Sequence, residues 1–168
     1  LDAETGALEL CIAGHDAPWK IGRNDEVQRI DGDGGPPLCM LEDFPYPTIR
    51  STLAPGDALC VVTDGITEAM NAAKELYGAD RLDALLRRLP PEASADELVA
   101  AVRKDVGDFV LDAEPSDDLT LLALRWNEVY GQPDAEPIEL GGTETRVTGS
   151  IGRCQAVRSG LGSQRKTI

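Results

Sequence analysis

Apolar residues in the first 126 positions recur first with strand-like and then with helical spacing. Short apolar segments bounded by turn residues predict strands at 7–13, 19–21, 27–30, 48–53, 58–63 and 119–126. The polar tetrapeptide at 22–25 predicts a hairpin between the second and third of these. Pro55-Gly56-Asp57 predicts a tight turn, and the order strand, turn, strand favours antiparallel pairing of 48–53 with 58–63.

Helical periodicity dominates between residues 82 and 110. Four leucines follow i, i+3, i+4, i+7 spacing, namely Leu82, Leu85, Leu86 and Leu89, and Pro90-Pro91 ends that helix. Ser94-Ala95-Asp96-Glu97 is a capping box that opens a second helix, about 17 residues long by the spacing of its apolar face. Strands followed by two helices and a final strand predict an α+β fold with helices packed on an antiparallel sheet.

From residue 127 onward the periodic pattern ends. Gly, Thr, Ser and Arg dominate there, so 127–168 is predicted to be a linker or disordered tail and 1–126 a single domain. The net charge is −14, and the tail contains five of the 30 acidic and five of the 16 basic residues, so the negative excess lies in 1–126. Such a surface argues against binding to nucleic acid and to anionic membranes.

Further sequence features indicate where in the cell the protein is expected. No apolar run reaches the roughly 18–20 residues needed to span a bilayer, and no signal peptide is present. The chain begins at Leu1 without an initiator Met, so we expect a piece of a longer protein. The four cysteines form no CxxC pair, and a cytoplasmic location is expected. Cys11 and Cys60 lie in apolar runs and are predicted to be core residues.

Carboxylates at strand ends are the candidate chemistry. Asp64 directly follows the strand at 58–63, and Asp117 and Asp118 directly precede the strand at 119–126. Rigid strand-end carboxylates suit a hard cation, and two of them 4 Å apart would repel by about 4 kcal/mol at an effective dielectric of about 20. The pair therefore predicts a divalent-metal site. The structural alternatives are that Asp64 caps a helix starting near Ile66 and that Asp117-Asp118 form a turn.

Two further side chains are candidates for a supporting role. Glu68 either binds a metal-bound water or favours the positive N-terminus of the helix after Asp64. His15, the only histidine, is either a general acid or a loop residue that hydrogen-bonds to neighbouring backbone. The sequence leaves both choices open.

Six motifs occur in a fixed order along residues 1–126. They are Ala13-Gly14-His15-x-x-Pro18, Gly35-x-Pro37-Leu38, Leu53-x-Pro55-Gly56-Asp57, Thr63-Asp64-Gly65-Ile66-Thr67-Glu68-Ala69, Glu75-x-Tyr77-Gly78-x-x-Arg81-Leu82 and Ser116-Asp117-Asp118-Leu119-Thr120. This order and spacing resemble the C-terminal part of a PPM-type, SpoIIE-like metal-dependent protein phosphatase domain.

The resemblance implies a β-sandwich flanked by helices, with a binuclear Mn²⁺ or Mg²⁺ site at one edge. By position, Asp64 and Asp117 are similar to metal ligands of the family, and Asp118 lies beside them. The implied activity is hydrolysis of phosphoserine or phosphothreonine on a bacterial regulatory protein, often an anti-sigma-factor antagonist. Two cations with oxygen ligands suit such hydrolysis, since they activate water and bind phosphate oxygens.

The chain departs from the family pattern in two places. The N-terminal half of the domain, with the first metal-bridging Asp, would lie before Leu1, and Cys39 stands where many members have Gly. Two carboxylates without a bridging ligand predict that this chain alone binds metal weakly and is inactive or nearly so. The alternative function is a non-catalytic regulatory or interaction domain that retains the phosphatase fold.

Overall fold

The structure is a computed structural model that describes residues 1–24, 26–111, 113, 118–127, 147–151 and 154–161. Its elements are β1 (Ala7–Leu10), β2 (Trp19–Ile21), β3 (Val27–Arg29), β4 (Ile49–Thr52), β5 (Ala58–Val62), α1 (Asp64–Thr67), α2 (Ala79–Leu86), α3 (Ala95–Val110), β6 (Leu119–Trp126), β7 (Val147–Ile151) and β8 (Cys154–Leu161). The strands β1 and β4 form one sheet, and a second sheet has the order β3-β2-β5-β6-β8-β7. Every strand pair in these sheets is antiparallel, which confirms the α+β fold class.

Successive side chains of β5 point to opposite faces of the large sheet and contribute to two separate hydrophobic cores. Cys60 and Val62 are buried on the face of the large sheet that packs against the helices. Leu59 points to the other face, where it joins Leu8 from β1 and Trp126 from β6 in a core between the two sheets. The helix-side core is completed by leucines and valines of α2 and α3, among them Leu82, Leu86, Leu98 and Val102. The resulting layers are the small sheet, the large sheet and the helices.

The predicted hairpin and helices are present. The strands β2 and β3 pair antiparallel across the turn, with Ile21 opposite Val27. The helix α3 has 16 residues, and its capping box is complete, because the Ser94 side chain accepts from the Glu97 N–H while the Glu97 carboxylate accepts from the Ser94 N–H. Local spacing and capping chemistry therefore sufficed to predict these elements.

The predicted pairing of β4 with β5 is wrong. β4 pairs with β1, whereas β5 lies between β2 and β6 in the other sheet. Gly56, with φ of +90°, turns the chain from one sheet to the next, and its N–H donates to the Trp126 carbonyl oxygen at 2.6 Å. Turn residues encode a change of direction, but they do not select the strand that becomes the partner.

The two cysteines that were predicted to be core residues differ. Cys60 is fully buried, and burial raises the pKa of its thiol to about 12. Cys11 is exposed, so that prediction is wrong; it follows β1 directly, and the chain leaves the sheet at that point.

The strands β7 and β8 correct the expectation of a linker or disordered tail for 147–151 and 154–161. The strand β8 pairs along the whole of β6, from Leu119 opposite Leu161 to Trp126 opposite Cys154. The edge of β6 offers backbone N–H and C=O groups that a further strand can pair with. Because this pairing uses the backbone, the added strand need not show a periodic pattern of apolar residues in its sequence. The rest of 127–168 lies outside the described residues, and the domain boundary at 126 stays a prediction. Among the helices that the structure describes, none has the length and apolar character needed to cross a membrane.

Candidate metal centre

The candidate site lies where β5 ends and β6 begins. The two strands pair antiparallel, with Val62 opposite Leu121. One residue further, the Thr63 N–H donates to the Thr120 carbonyl oxygen at 3.1 Å, and the Thr120 N–H donates to Thr63 Oγ1 at 3.2 Å. These bonds hold the end of β5 beside the start of β6, so Asp64 emerges next to the segment that leads into β6.

Asp64 is an exposed carboxylate on a locally fixed backbone. Its Oδ1 accepts the Gly65 N–H at 2.9 Å, and its carbonyl oxygen accepts the Glu68 N–H at 2.6 Å. The helix begins at Asp64 itself with Thr63 in the N-cap position, so the alternative that Asp64 caps a helix starting near Ile66 is wrong. The carboxylate thus lies at a strand end and is open to solvent, and carboxylate oxygens are ligands that Mg²⁺ and Ca²⁺ accept.

The partner carboxylate is not placed by the structure. Asp117 lies outside the described residues, so its convergence with Asp64 stays a prediction. Asp118 is described and exposed, directly before β6. The pairing of β5 with β6 brings its segment of the chain to the strand end that carries Asp64.

The two supporting candidates take different positions. His15 is exposed, and its Nδ1 lies 3.3 Å from the Ala13 carbonyl oxygen, which is the local backbone contact of the structural alternative. Glu68 is the C-cap of α1. The interpretation that its carboxylate interacts favourably with the positive N-terminus of this helix is therefore wrong. A role of either side chain at a metal-bound water stays a prediction.

Residues 75–82 have a structural role here. The buried Tyr77 donates its hydroxyl to Asp105 Oδ2 on α3 at 2.8 Å, and Arg81 Nε donates to the same oxygen at 3.1 Å. Gly78, with φ of +78°, is the N-cap of α2. This motif joins the segment after α1 to the helices and keeps them against the sheet.

Sequence patterns alone give no role to Asp16. Asp16 Oδ2 accepts the Thr67 hydroxyl at 2.9 Å, so the loop after β1 contacts the last residue of α1. The Gly14 N–H in turn donates to the Gly35 carbonyl oxygen at 2.8 Å. The available signal was the place of Asp16 next to His15 within a motif, but tertiary contact between 16 and 67 leaves no trace in local spacing.

The candidate ligands have the right chemistry for a metal ion, but the described residues provide too few of them. The candidate ligands are carboxylates only, which suits Mg²⁺ or Mn²⁺. Within the described ranges, however, no group of three or more His, Cys, Asp or Glu side chains could hold a metal ion. The described residues therefore fit the cation in kind and do not complete a site.

Comparison with known proteins shows the family to which this chain belongs. The model of the family Stage II sporulation protein E (SpoIIE) matches residues 1–127. The chain therefore belongs to the SpoIIE family of PPM-type phosphatase domains, which are metal-dependent. Among curated proteins, Protein IcfG from Synechocystis sp. (strain ATCC 27184 / PCC 6803 / Kazusa) is 25% identical over 128 residues, which are 76% of this chain and 20% of that protein.

Solved structures of low identity share the fold. The phosphatase domain of the cell fate determinant SpoIIE from Bacillus subtilis matches with a TM-score of 0.59 and 16% identity over 79% of this chain and 58% of that one. The same domain presoaked with Mn matches with a TM-score of 0.61 and 17% identity over 82% and 60%. The RsbU and RsbW domains of Rv1364c from Mycobacterium tuberculosis match with a TM-score of 0.54 and 24% identity over 71% and 32%. The chain thus spans less than two thirds of each of these proteins.

Proposed function

We propose that this chain contributes Asp64 and Asp117 as metal ligands to a protein phosphatase that hydrolyses phosphoserine or phosphothreonine. One observation carries the proposal. In a member of the SpoIIE family, Asp64 lies exposed at the end of β5, directly beside the start of β6 that follows Asp117. Family membership supports the reaction class, and the pairing of β5 with β6 supports the choice of Asp64.

The residues of this chain position the candidate metal ligands and orient the Asp64 carboxylate. Thr63 and Thr120 fix the two strand ends, and the Gly65 N–H holds one oxygen of the Asp64 carboxylate. When bound, a pair of Mn²⁺ or Mg²⁺ ions activates water and neutralises charge on the phosphoryl group. Asp118 and Glu68 would lie at the margin of that site, and His15 is a candidate proton donor there.

The proposed substrate is a phosphorylated regulatory protein in the cytoplasm, such as an anti-sigma-factor antagonist. Support comes from the family and from the negative net charge of the chain, which favours a protein substrate over nucleic acid. Three cysteines that the structure describes, Cys11, Cys39 and Cys60, are free thiols, as is usual in a reducing compartment.

Hydrolysis of an aryl phosphate and of a phosphoserine peptide with Mn²⁺ tests the proposal in two settings. We expect little or no turnover by the 168-residue chain alone, because Asp64 and Asp117 without a bridging ligand would bind metal weakly. In the parent protein, Asp64→Asn should lower kcat/KM at least about 100-fold, since even outer-shell partners of a metal ligand are worth 10–100-fold. Asp80→Asn, the same charge change at an exposed position on α2, is the matched control.

Two results would contradict this account. Mn²⁺-dependent turnover by the chain alone that Asp64→Asn abolishes would refute its predicted inactivity. Full activity of the parent protein with Asp64→Asn would refute the assignment of the ligand.

The second candidate function is a non-catalytic interaction domain. It is favoured by the small number of candidate ligands, since the sequence offers two carboxylates, Asp64 and Asp117, and no bridging ligand. Under this alternative the parent protein would bind the phosphorylated partner without releasing phosphate. Phosphate release that depends on Asp64 would exclude it.

A further inference from the structure

The short helix α1 is tied to a distant loop by one side chain. Thr67, its last residue, donates its hydroxyl to Asp16 Oδ2 at 2.9 Å, and the same hydroxyl lies 3.3 Å from the Asp64 carbonyl oxygen. The hydroxyl therefore joins both ends of α1 to the loop between β1 and β2. Among the described residues, no other side-chain hydrogen bond connects the four-residue helix to another part of the chain.

Helix α1 needs such support because it is too short to define its own orientation. Four residues form about one turn, and a single helical turn is unfavourable by itself since nucleation fixes several dihedral angles for one hydrogen bond. Its N-cap, Thr63, makes no side-chain capping bond to it. Its orientation must come from tertiary contacts, and Asp16 supplies one at the end opposite Asp64.

Asp16 is itself held in place from the sheet. Its Oδ1 lies 3.8 Å from Arg29 Nη2, and the Arg29 guanidinium stacks 4.9 Å above the ring of the fully buried Trp19. The ion pair is about one third exposed on both sides, so its contribution to stability is small. One carboxylate oxygen of Asp16 thus faces Arg29, and the other accepts the Thr67 hydroxyl.

We propose that Asp16 is a positioning residue that fixes α1, and through α1 the candidate ligand Asp64. The part that concerns a ligand rests on the proposed function, whereas the part that concerns α1 does not. Asp16 touches neither substrate nor metal in this account; it acts through Thr67.

Amide hydrogen exchange in the full chain tests the link to α1. The reporters are the N–H groups of Ile66 and Glu68, which donate to Thr63 and Asp64 carbonyl oxygens. Asp16→Ala and Thr67→Val should each raise their exchange rates at least about fivefold, the factor that corresponds to a lost hydrogen bond worth about 1 kcal/mol. Thr67→Ser retains the hydroxyl and should restore slow exchange.

The matched control is a neighbouring carboxylate, Asp31. Asp31→Ala removes an exposed carboxylate that also faces Arg29, at 4.0 Å from its Nε, and should leave both rates within about twofold. Unchanged rates in Asp16→Ala would overturn the proposal. An equal rise at Val102 in the centre of α3 would also overturn it, because the effect would then be global unfolding rather than loss of local position.

Mn²⁺ titration distinguishes this proposal from the proposed function. Paramagnetic broadening of the Gly65 amide should need at least about threefold more Mn²⁺ in Asp16→Ala than in the wild type, with Asp31→Ala unchanged. Equal affinity in Asp16→Ala would overturn the positioning of a ligand. The site of the chain alone is expected to be weak, so the titration extends to a large excess of Mn²⁺. If the wild type shows no broadening even there, the assignment of Asp64 as a ligand fails, and the exchange rates still decide whether Asp16 fixes α1.

Discussion

Thr63 and Thr120 form a reciprocal contact that closes the pairing of β5 with β6: the Thr63 N–H donates to the Thr120 carbonyl oxygen, and the Thr120 N–H donates to Thr63 Oγ1. This contact lies one residue before Asp64. It holds the end of β5 beside the start of β6. Asp64 can share a site with the residues before β6 only if these two strand ends lie side by side.

Replacing Thr63 by Val removes the side-chain oxygen and keeps the β-branched shape. The Thr120 N–H then loses its acceptor, and we expect the free energy of unfolding to fall by about 1 kcal/mol. Urea unfolding followed by circular dichroism measures the change. Thr52→Val, at an exposed position in β4, is the matched control, and an equal effect of the two substitutions would contradict the role given to Oγ1.

Two glycines should respond to alanine with opposite signs. Gly6 has φ of +73°, and an added Cβ would lie 2.3 Å from the Leu53 carbonyl oxygen, so Gly6→Ala should cost more than about 2 kcal/mol. Gly107 lies inside α3 with nothing within 4 Å of an added Cβ, so Gly107→Ala should stabilise by about 0.5–1 kcal/mol. Thermal unfolding of both variants measures the shifts. A stabilised Gly6→Ala would contradict the packing described around the inter-sheet core.

The buried carboxylate of Asp57 should matter far more than an exposed one. It is 5% exposed, accepts the Ala54 N–H at 2.9 Å and lies 3.3 Å from Lys20 Nζ. Asp57→Ala leaves the Ala54 N–H without its acceptor and removes the counter-charge of the Lys20 ammonium, which keeps its hydrogen bond to the Thr52 carbonyl oxygen. A loss of about 3 kcal/mol is expected by denaturant titration. Glu9→Ala breaks the exposed pair with Arg50 and should change stability by less than about 0.5 kcal/mol.

Acid should weaken the link between α2 and α3. Burial tends to raise the pKa of Asp105, but the hydrogen bonds from Tyr77 and Arg81 outweigh it and lower the pKa below its ordinary value of 3.8. Because the unfolded chain then binds the proton more readily, the stabilisation is complete above about pH 4 and is lost as the pH falls through the folded pKa. Asp105→Asn should cost about 1–2 kcal/mol at pH 6.

Measuring unfolding of the wild type and Asp105→Asn from pH 6 down to pH 3 tests this. The difference between the two proteins should shrink towards the acid end. A constant difference across the range would show that the charge of Asp105 contributes nothing.

Local signals predicted the helices, the hairpin and the strand at 119–126, because capping, periodicity and turn chemistry lie within a few residues of one another. The partner of β4 was not predictable in this way, since strand order depends on competition between sheet edges. The same limit applies to the site. Asp64 could be proposed from its place after an apolar run, whereas Asp16 contacts a residue 51 positions away in the chain.

The most direct test of the central claim is Mn²⁺ titration of the ¹⁵N-labelled chain, with paramagnetic broadening of backbone amides as the signal. The account predicts broadening centred on Gly65 and Leu119, competed by Mg²⁺ and lost in both Asp64→Asn and Asp117→Asn. Broadening centred elsewhere, or broadening at Gly65 that survives either substitution, would contradict a shared cation site of these two carboxylates.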